Sequence, residues 1–234
     1  MKLHKVLHIA GIEHVLVKDD VRLELATPGR AQFTIQASAP VSGLVTLDIG
    51  YNDATLQRHF IGYVERCTAV NQREQALYCR ELAAILAKPL PLNLRHADLR
   101  TVLAAISDQT GLRFRVPAQA YATTKAPYFY SLASGFQAMD SLARVFSISD
   151  LIWQQQGDGE VFVGSWAHSF FGERSPLPLP VELFNNYQGN QSAVIAALPG
   201  LRPGATINQG ERVTSVALVG TDMAIKWKTQ SGAV

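Results

Sequence analysis

The chain has 234 residues, of which 47% are hydrophobic and 17% charged, with 21 basic against 19 acidic side chains. That is length for one large or two to three small domains and apolar content for real cores, which excludes a disordered chain. Residues 1–82 carry nine basic and nine acidic groups, 83–165 seven and six, and 166–234 five and four, so no segment has the charge excess of a nucleic-acid binder.

Met1 to His8 is too polar for the apolar region of a signal peptide, and Glu13 and Lys18 interrupt the next stretch. No run reaches the ~18 apolar residues of a membrane span. The chain is therefore expected to be made in a cytoplasm, with Cys67 and Cys79 as reduced, buried thiols.

Residues 2–82 read as consecutive strands: Lys5–Ile9, Glu13–Val17, Val21–Ala26, Ala31–Ala37, Leu44–Gly50, His59–Ala69 and Glu74–Arg80. Phe33, Ile35 and Ala37 alternate with polar neighbours, as do Val45, Leu47 and Ile49. Pro28-Gly29, Pro40, Ser42-Gly43 and Asn52-Asp53 punctuate them, a spacing that favours a barrel or sandwich. Gly62 inside the long strand predicts a bulge or sharp bend there. The simplest register of the last two strands places Cys67 opposite Ala76. Arg80–Ala87 then reads as a short helix ended by Lys88-Pro89, and Pro89 and Pro91 as an extended connector.

An α/β unit comes next. Asp98 caps a helix with Leu99, Val102, Leu103 and Ile106 on its apolar face, and Gly111 suits a left-handed C-terminal cap. Leu112–Val116 reads as a strand stopped by Pro117. Ser134 to Gln137 has the form of a capping box before a second helix bearing Phe136, Met139, Leu142, Ala143 and Phe146. A hairpin closes the unit, Leu151–Gln156 and Glu160–Gly164 around Gly157-Asp158-Gly159. Trp166 to Pro180 reads as an extended crossing. The chain then returns to β structure, with a hairpin of Arg212–Val219 and Met223–Lys228 around Gly220-Thr221. Met223, Ile225 and Trp227 fall on one face.

The pattern predicts a mainly β protein with an α/β insert: residues 1–82 as a first β-barrel, 83–165 as the inserted α/β domain, and 166–234 as a second β-barrel. Catalytic signatures are missing. There is no Gly-x-Ser-x-Gly, phosphate loop or dinucleotide fingerprint. His4, His8 and His14 lie near one another, but neither a helical HxxxH nor a CxxC pair accompanies them, so solvated strand histidines are expected. No catalytic residue, metal site or cofactor is assigned. Trp153, Trp166, Phe170 and Phe171 gather where the α/β unit ends. They are candidates for interdomain packing or for a protein–protein interface, which aromatic anchors dominate. Arg202-Pro203-Gly204 suits a type II turn, with proline fixing one φ and glycine free to take φ > 0.

Two stretches resemble a known family. One comprises Phe60–Val64, Cys79–Ala83, Asp98–Leu103, Thr110-Gly111-Leu112 and Ala138–Arg144 before Gly157-Asp158-Gly159. The other is Leu198–Gly204, Gly210–Val216 and Met223–Trp227. Together they resemble the baseplate or tail hub proteins of tailed phages and the N-terminal hub part of type VI secretion spike proteins. The resemblance implies two small barrels flanking an α/β domain in a structural, non-enzymatic protein. It implies a homotrimer at the tip of the virion tail, assembled in the host cytoplasm. Its partners there would be the tail tube protein and a central spike or tail fibre. Since the sequence ends soon after Trp227, the additional C-terminal domain of some members is not expected here. The helix–strand–helix–hairpin unit also resembles the short N-terminal domain of secretins and outer-membrane receptors, which would instead make the chain a periplasmic interaction domain.

Overall fold

The computed structural model describes residues 2–25, 27–52, 54–188 and 191–229. Ala26 and Asp53, expected at a strand end and in a turn, and residues 230–234 lie outside the described residues. The chain divides into two compact units, residues 1–81 with 174–234, and Leu82–Glu173.

In the first unit, β1 (Leu3–Ile9), β2 (Ile12–His14), β3 (Leu16–Glu24), β4 (Arg30–Gln36), β5 (Leu44–Tyr51), β6 (Gln57–Ala69) and β7 (Glu74–Glu81) come before the chain leaves for the second unit. That unit holds β8 (Leu92–Ala97), α1 (Leu99–Thr110), β9 (Phe114–Arg115), β10 (Ala126–Ser131), α2 (Gly135–Val145), β11 (Leu151–Gln155) and β12 (Val161–Ser165). The chain returns through β13 (Asn185–Gln188), β14 (Ser192–Ala196), β15 (Thr206–Ile207), β16 (Glu211–Val219) and β17 (Asp222–Lys228).

The two flanks share one sheet of twelve strands, in the order β13-β14-β17-β16-β3-β4-β7-β6-β5-β1-β2 with β15 on β16. The join is β16 on β3, antiparallel, with Val216 opposite Leu23 and Leu218 opposite Val21. Alternation along the strands turns Val21, Leu23, Phe33, Ile35, Leu47 and Leu77 into a common core. Phe33 and Phe60 meet edge to face there, their centroids 6.0 Å apart. Lys5 on β1 reaches Asp19 on β3 at 2.6 Å and also bonds the carbonyl of Gly220. On β17, Met223, Ile225 and Trp227 all point inward.

The second unit has its own core. Leu99, Val102, Leu103 and Ile106 of α1 and Ala138, Met139 and Leu142 of α2 pack with Val161 and Val163. Both helix starts arise from local chemistry. Asp98 Oδ1 accepts the Thr101 N–H at 2.8 Å, and Ser134 Oγ accepts the Gln137 N–H at 3.4 Å. Gly111 ends α1 with φ 73°.

Several expectations need correction. β7 runs on to Glu81, because the Glu81 N–H still bonds the Gly29 carbonyl; only Leu82–Ala87 coils, as a 3-10 helix. The strand expected over Leu112–Val116 shortens to Phe114–Arg115, which pairs in parallel with β12. The connector after Pro91 is β8, which pairs with β10. The long strand β6 does bulge, but at His59 and Glu65 on either side of Gly62, which itself pairs with both Val45 and Glu81. A Cβ at Gly62 would sit on the Arg80 carbonyl oxygen, so a close backbone approach demands this glycine. The turn between β6 and β7 is longer than two residues, with Ala69 opposite Gln75, and that register puts Cys67 opposite Leu77. Both cysteines are free thiols; Cys79 is buried and Cys67 half-buried. Burial pushes the Cys79 thiol up to about 12.

Candidate assembly interface

The sheet of the first unit ends in an edge at β2, and edges invite pairing with another chain. This one carries apolar side chains in the open: Ile12 on β2 is 65% exposed, and Val15 just after it is 59% exposed. Ala10 and Gly11, at φ 50° and 81°, turn the chain into β2. Isoleucine and valine gain nothing from water, which makes this edge a candidate contact surface.

In the second unit, β10 presents Tyr128 and Tyr130 outward while Phe129 between them is buried, and Leu132 just past its end is exposed too. The Arg95 guanidinium lies 5.8 Å from the Tyr128 ring. β10 pairs only with β8 among the described strands, so an aromatic face stands beside an open edge. The alternation of Tyr128, Phe129 and Tyr130 is the one sequence signal that could have located this strand, which the expected elements did not include.

The aromatic candidates separate. Trp153 is buried in the core of the second unit, stacked on Phe136 at 5.7 Å with its Nε1–H donated to Asp140 at 3.0 Å. Phe171 is buried too, and Trp166 is half-buried. Phe170 is 54% exposed and meets Phe171 edge to face, 5.3 Å between centroids. The stretch from Trp166 is not extended at first. It coils as a 3-10 turn over Trp166–His168, and the Glu173 N–H bonds the Ser169 carbonyl. The extended part comes later, where Leu177 bridges Ile207 in parallel.

Arg202, Pro203 and Gly204 form a tight turn: the Ala205 N–H bonds the Arg202 carbonyl at 3.2 Å, and Gly204 has φ 95°. The arginine side chain does more than turn the chain. It is buried, its Nη2 3.2 Å from Glu81 Oε1 and its Nη1 donating to the His59 carbonyl at 2.8 Å. Glu81 Oε2 accepts the Gly29 N–H at 2.6 Å. The bulge leaves His59 with no counterpart on β5 and turns its ring inward. Neither ring nitrogen of His59 has a hydrogen-bond partner among the described residues. Burial first, and then Arg202, hold its pKa down at about 3. Burial pushes the Glu81 carboxyl up, against the pull of Arg202 and Gly29. This cluster ties the end of β7 to the returning chain. It acts as a structural clamp, with the guanidinium bonded to Glu81 and the His59 carbonyl, and the carboxylate to Arg202 and the Gly29 N–H.

No family model matches the chain. A curated relative, an uncharacterized 58.7 kDa protein in the lys 3′ region of Haemophilus phage HP1, is 32% identical over 227 residues. The match covers 96% of this chain and 42% of the relative, so the chain spans less than half of that protein's length. The 43 kDa tail protein of prophage MuSo2 from Shewanella oneidensis superposes with a TM-score of 0.69 at 9% identity, covering 98% of each chain. A tail protein from Neisseria meningitidis gives 0.67 at 13% identity, over 98% of this chain and 97% of that one. A component of the Escherichia coli type VI secretion system, described as similar in structure to tail proteins gp27 and gp5 of bacteriophage T4, gives 0.64 at 12% identity over 96% and 77%. At these identities the likeness is one of fold. At that level the resemblance to phage tail hub and type VI spike proteins is borne out.

Proposed function

We propose that the chain is a structural component of a phage tail, the hub that joins a sixfold tail tube to a threefold central spike or fibre. The observation that carries the reading is the continuous sheet. The strands before and after the α/β unit form one twelve-stranded surface through the pairing of β16 with β3. One chain thus supplies two β segments held rigidly together. Three copies present six such segments to the tube and a threefold surface to the tip. The ring is closed and cyclic, which requires two different patches on each protomer to meet. The apolar edge at β2 and the exposed Phe170 are the contacts we assign to that closure. The role is non-enzymatic, the tail tube and spike or fibre proteins are the partners, and the tip of the virion tail is the location. The phage relative and the tail-protein fold support this reading.

Sedimentation velocity over a concentration series tests the ring. A trimer growing in with concentration, and lost when Ile12→Glu and Val15→Glu are combined, supports it. A chain that stays monomeric at every concentration, with and without tube protein, overturns it.

A further inference from the structure

The outer face of the sheet carries a charge pattern apart from the contacts assigned to the ring. Arg22 on β3 stands directly opposite Arg30 on β4, and Arg30 directly opposite Arg80 on β7. Three guanidinium-bearing positions follow one row over three adjacent strands, about 10 Å from first to last at the usual strand spacing. Like charges so placed repel and weaken the ladder. Asp20 takes only Arg22, accepting from its Nε and Nη2 at 2.9 Å each. Arg30 and Arg80 have no ion pair among the described residues, and the Arg80 Nε is shielded from solvent without a hydrogen-bond partner. The neighbouring row is Asp20, Gln32 and Tyr78, with the Arg66 guanidinium 5.8 Å from the Tyr78 ring. Two hollows of about 350 and 290 Å³ open on this face and share Asp20 and Gln32 in their walls.

We propose that this face docks a short carboxylate-bearing segment of a partner protein, gripped by Arg30 and Arg80. The row is unfavourable in the free chain and becomes favourable when an anion sits across it. Planar guanidinium forks match carboxylates in two-point contacts, and Gln32 and Tyr78 offer neutral hydrogen bonds alongside. A duplex nucleic acid fits less well. Its charge continues at about one per 1.7 Å of axis and calls for a long basic track. Here the positive row is short, and Asp20 and Glu24 flank Arg22 on its own strand. The proposal stands whatever the copy number of the ring.

The test uses the full chain and three labelled probes followed by fluorescence anisotropy: a peptide alternating glutamate with glycine, its glutamine analogue, and a short DNA duplex. The acidic peptide is expected to bind and to weaken as salt rises. The glutamine analogue, and the acidic peptide on Arg30→Gln or Arg80→Gln, are expected to bind about tenfold more weakly. The melting temperature of both variants is expected to hold or rise, because repulsion is relieved while binding is lost. Equal binding of the two peptides overturns the proposal, and so does arginine-dependent binding of the duplex in place of the peptide. A fall of several degrees in melting temperature in both variants would assign the arginines to stability and also overturn it.

Discussion

Arg202→Met is expected to be among the most damaging single changes in the first unit. Its guanidinium and the Glu81 carboxylate are 8% and 5% exposed, so neither charge recovers hydration when the other is removed. The substitution strands the Glu81 carboxylate and takes the Nη1 donor away from the His59 carbonyl. Removing one partner of a buried pair costs about 3–5 kcal/mol, and the loss here belongs in that range because the single Gly29 N–H does not replace a guanidinium. Glu81→Gln alone leaves the arginine buried against a neutral amide and is expected to cost about 3 kcal/mol. The double variant removes both charges and keeps an acceptor for the Gly29 N–H. It is expected to lose no more than about 2 kcal/mol, far less than the two single losses added. Urea denaturation of the four proteins, with the slope held constant, measures the cycle. A loss under about 1 kcal/mol for Arg202→Met, or strict additivity in the cycle, would refute the clamp.

Other outcomes stem from the same geometry. His59 is held neutral with a pKa of about 3, against 6.5 when exposed, so the unfolded chain takes up a proton that the folded chain refuses. Its contribution to stability is complete above pH 6.5 and is lost as pH falls toward 3, by up to about 1.4 kcal/mol per pH unit. The Glu81 carboxyl, pushed up, acts in the opposite sense, so the His59 share is read as the difference in acid sensitivity between wild type and His59→Leu. Identical acid sensitivity in the two would contradict a buried neutral imidazole. Gly62→Ala is expected to cost about 3 kcal/mol or leave the chain insoluble, because its Cβ meets the Arg80 carbonyl oxygen; a urea midpoint like that of wild type would contradict the close approach. Gly204→Val, at φ 95°, is expected to cost about 1–3 kcal/mol in the same assay. Residues 82–173 expressed alone are expected to melt cooperatively, since that unit has a core of its own, and a featureless thermal trace would contradict its independence.

Local signals in the sequence were legible. Asp98, Gly111 and Ser134 mark the helix ends because their chemistry acts within three or four residues. The hairpins around Gly157-Asp158-Gly159 and Gly220-Thr221 are local in the same way. β8 is hidden in the sequence because Asn93, Arg95 and His96 are exposed, His96 takes φ 49°, and its partner strand lies some thirty residues on. The pairing of β16 with β3 spans nearly the whole chain and leaves no periodic mark. Arg202 was readable as a turn residue and unreadable as a clamp, because Glu81 is 121 positions away. Among the aromatic residues, composition marked the cluster but could not sort buried Trp153 from exposed Phe170. That sorting depends on α2, whose Asp140 and Phe136 hold the indole.

Under the proposed function, three copies of this chain form the hub of a tail. Cryo-electron microscopy of assembled particles, with the chain located by a fused tag, tests it most directly. A single ring of three copies on the tail axis at the tip, between the sixfold tube and the threefold spike or fibre, is the expected result. Six copies, or a position off the tail axis, would contradict the account.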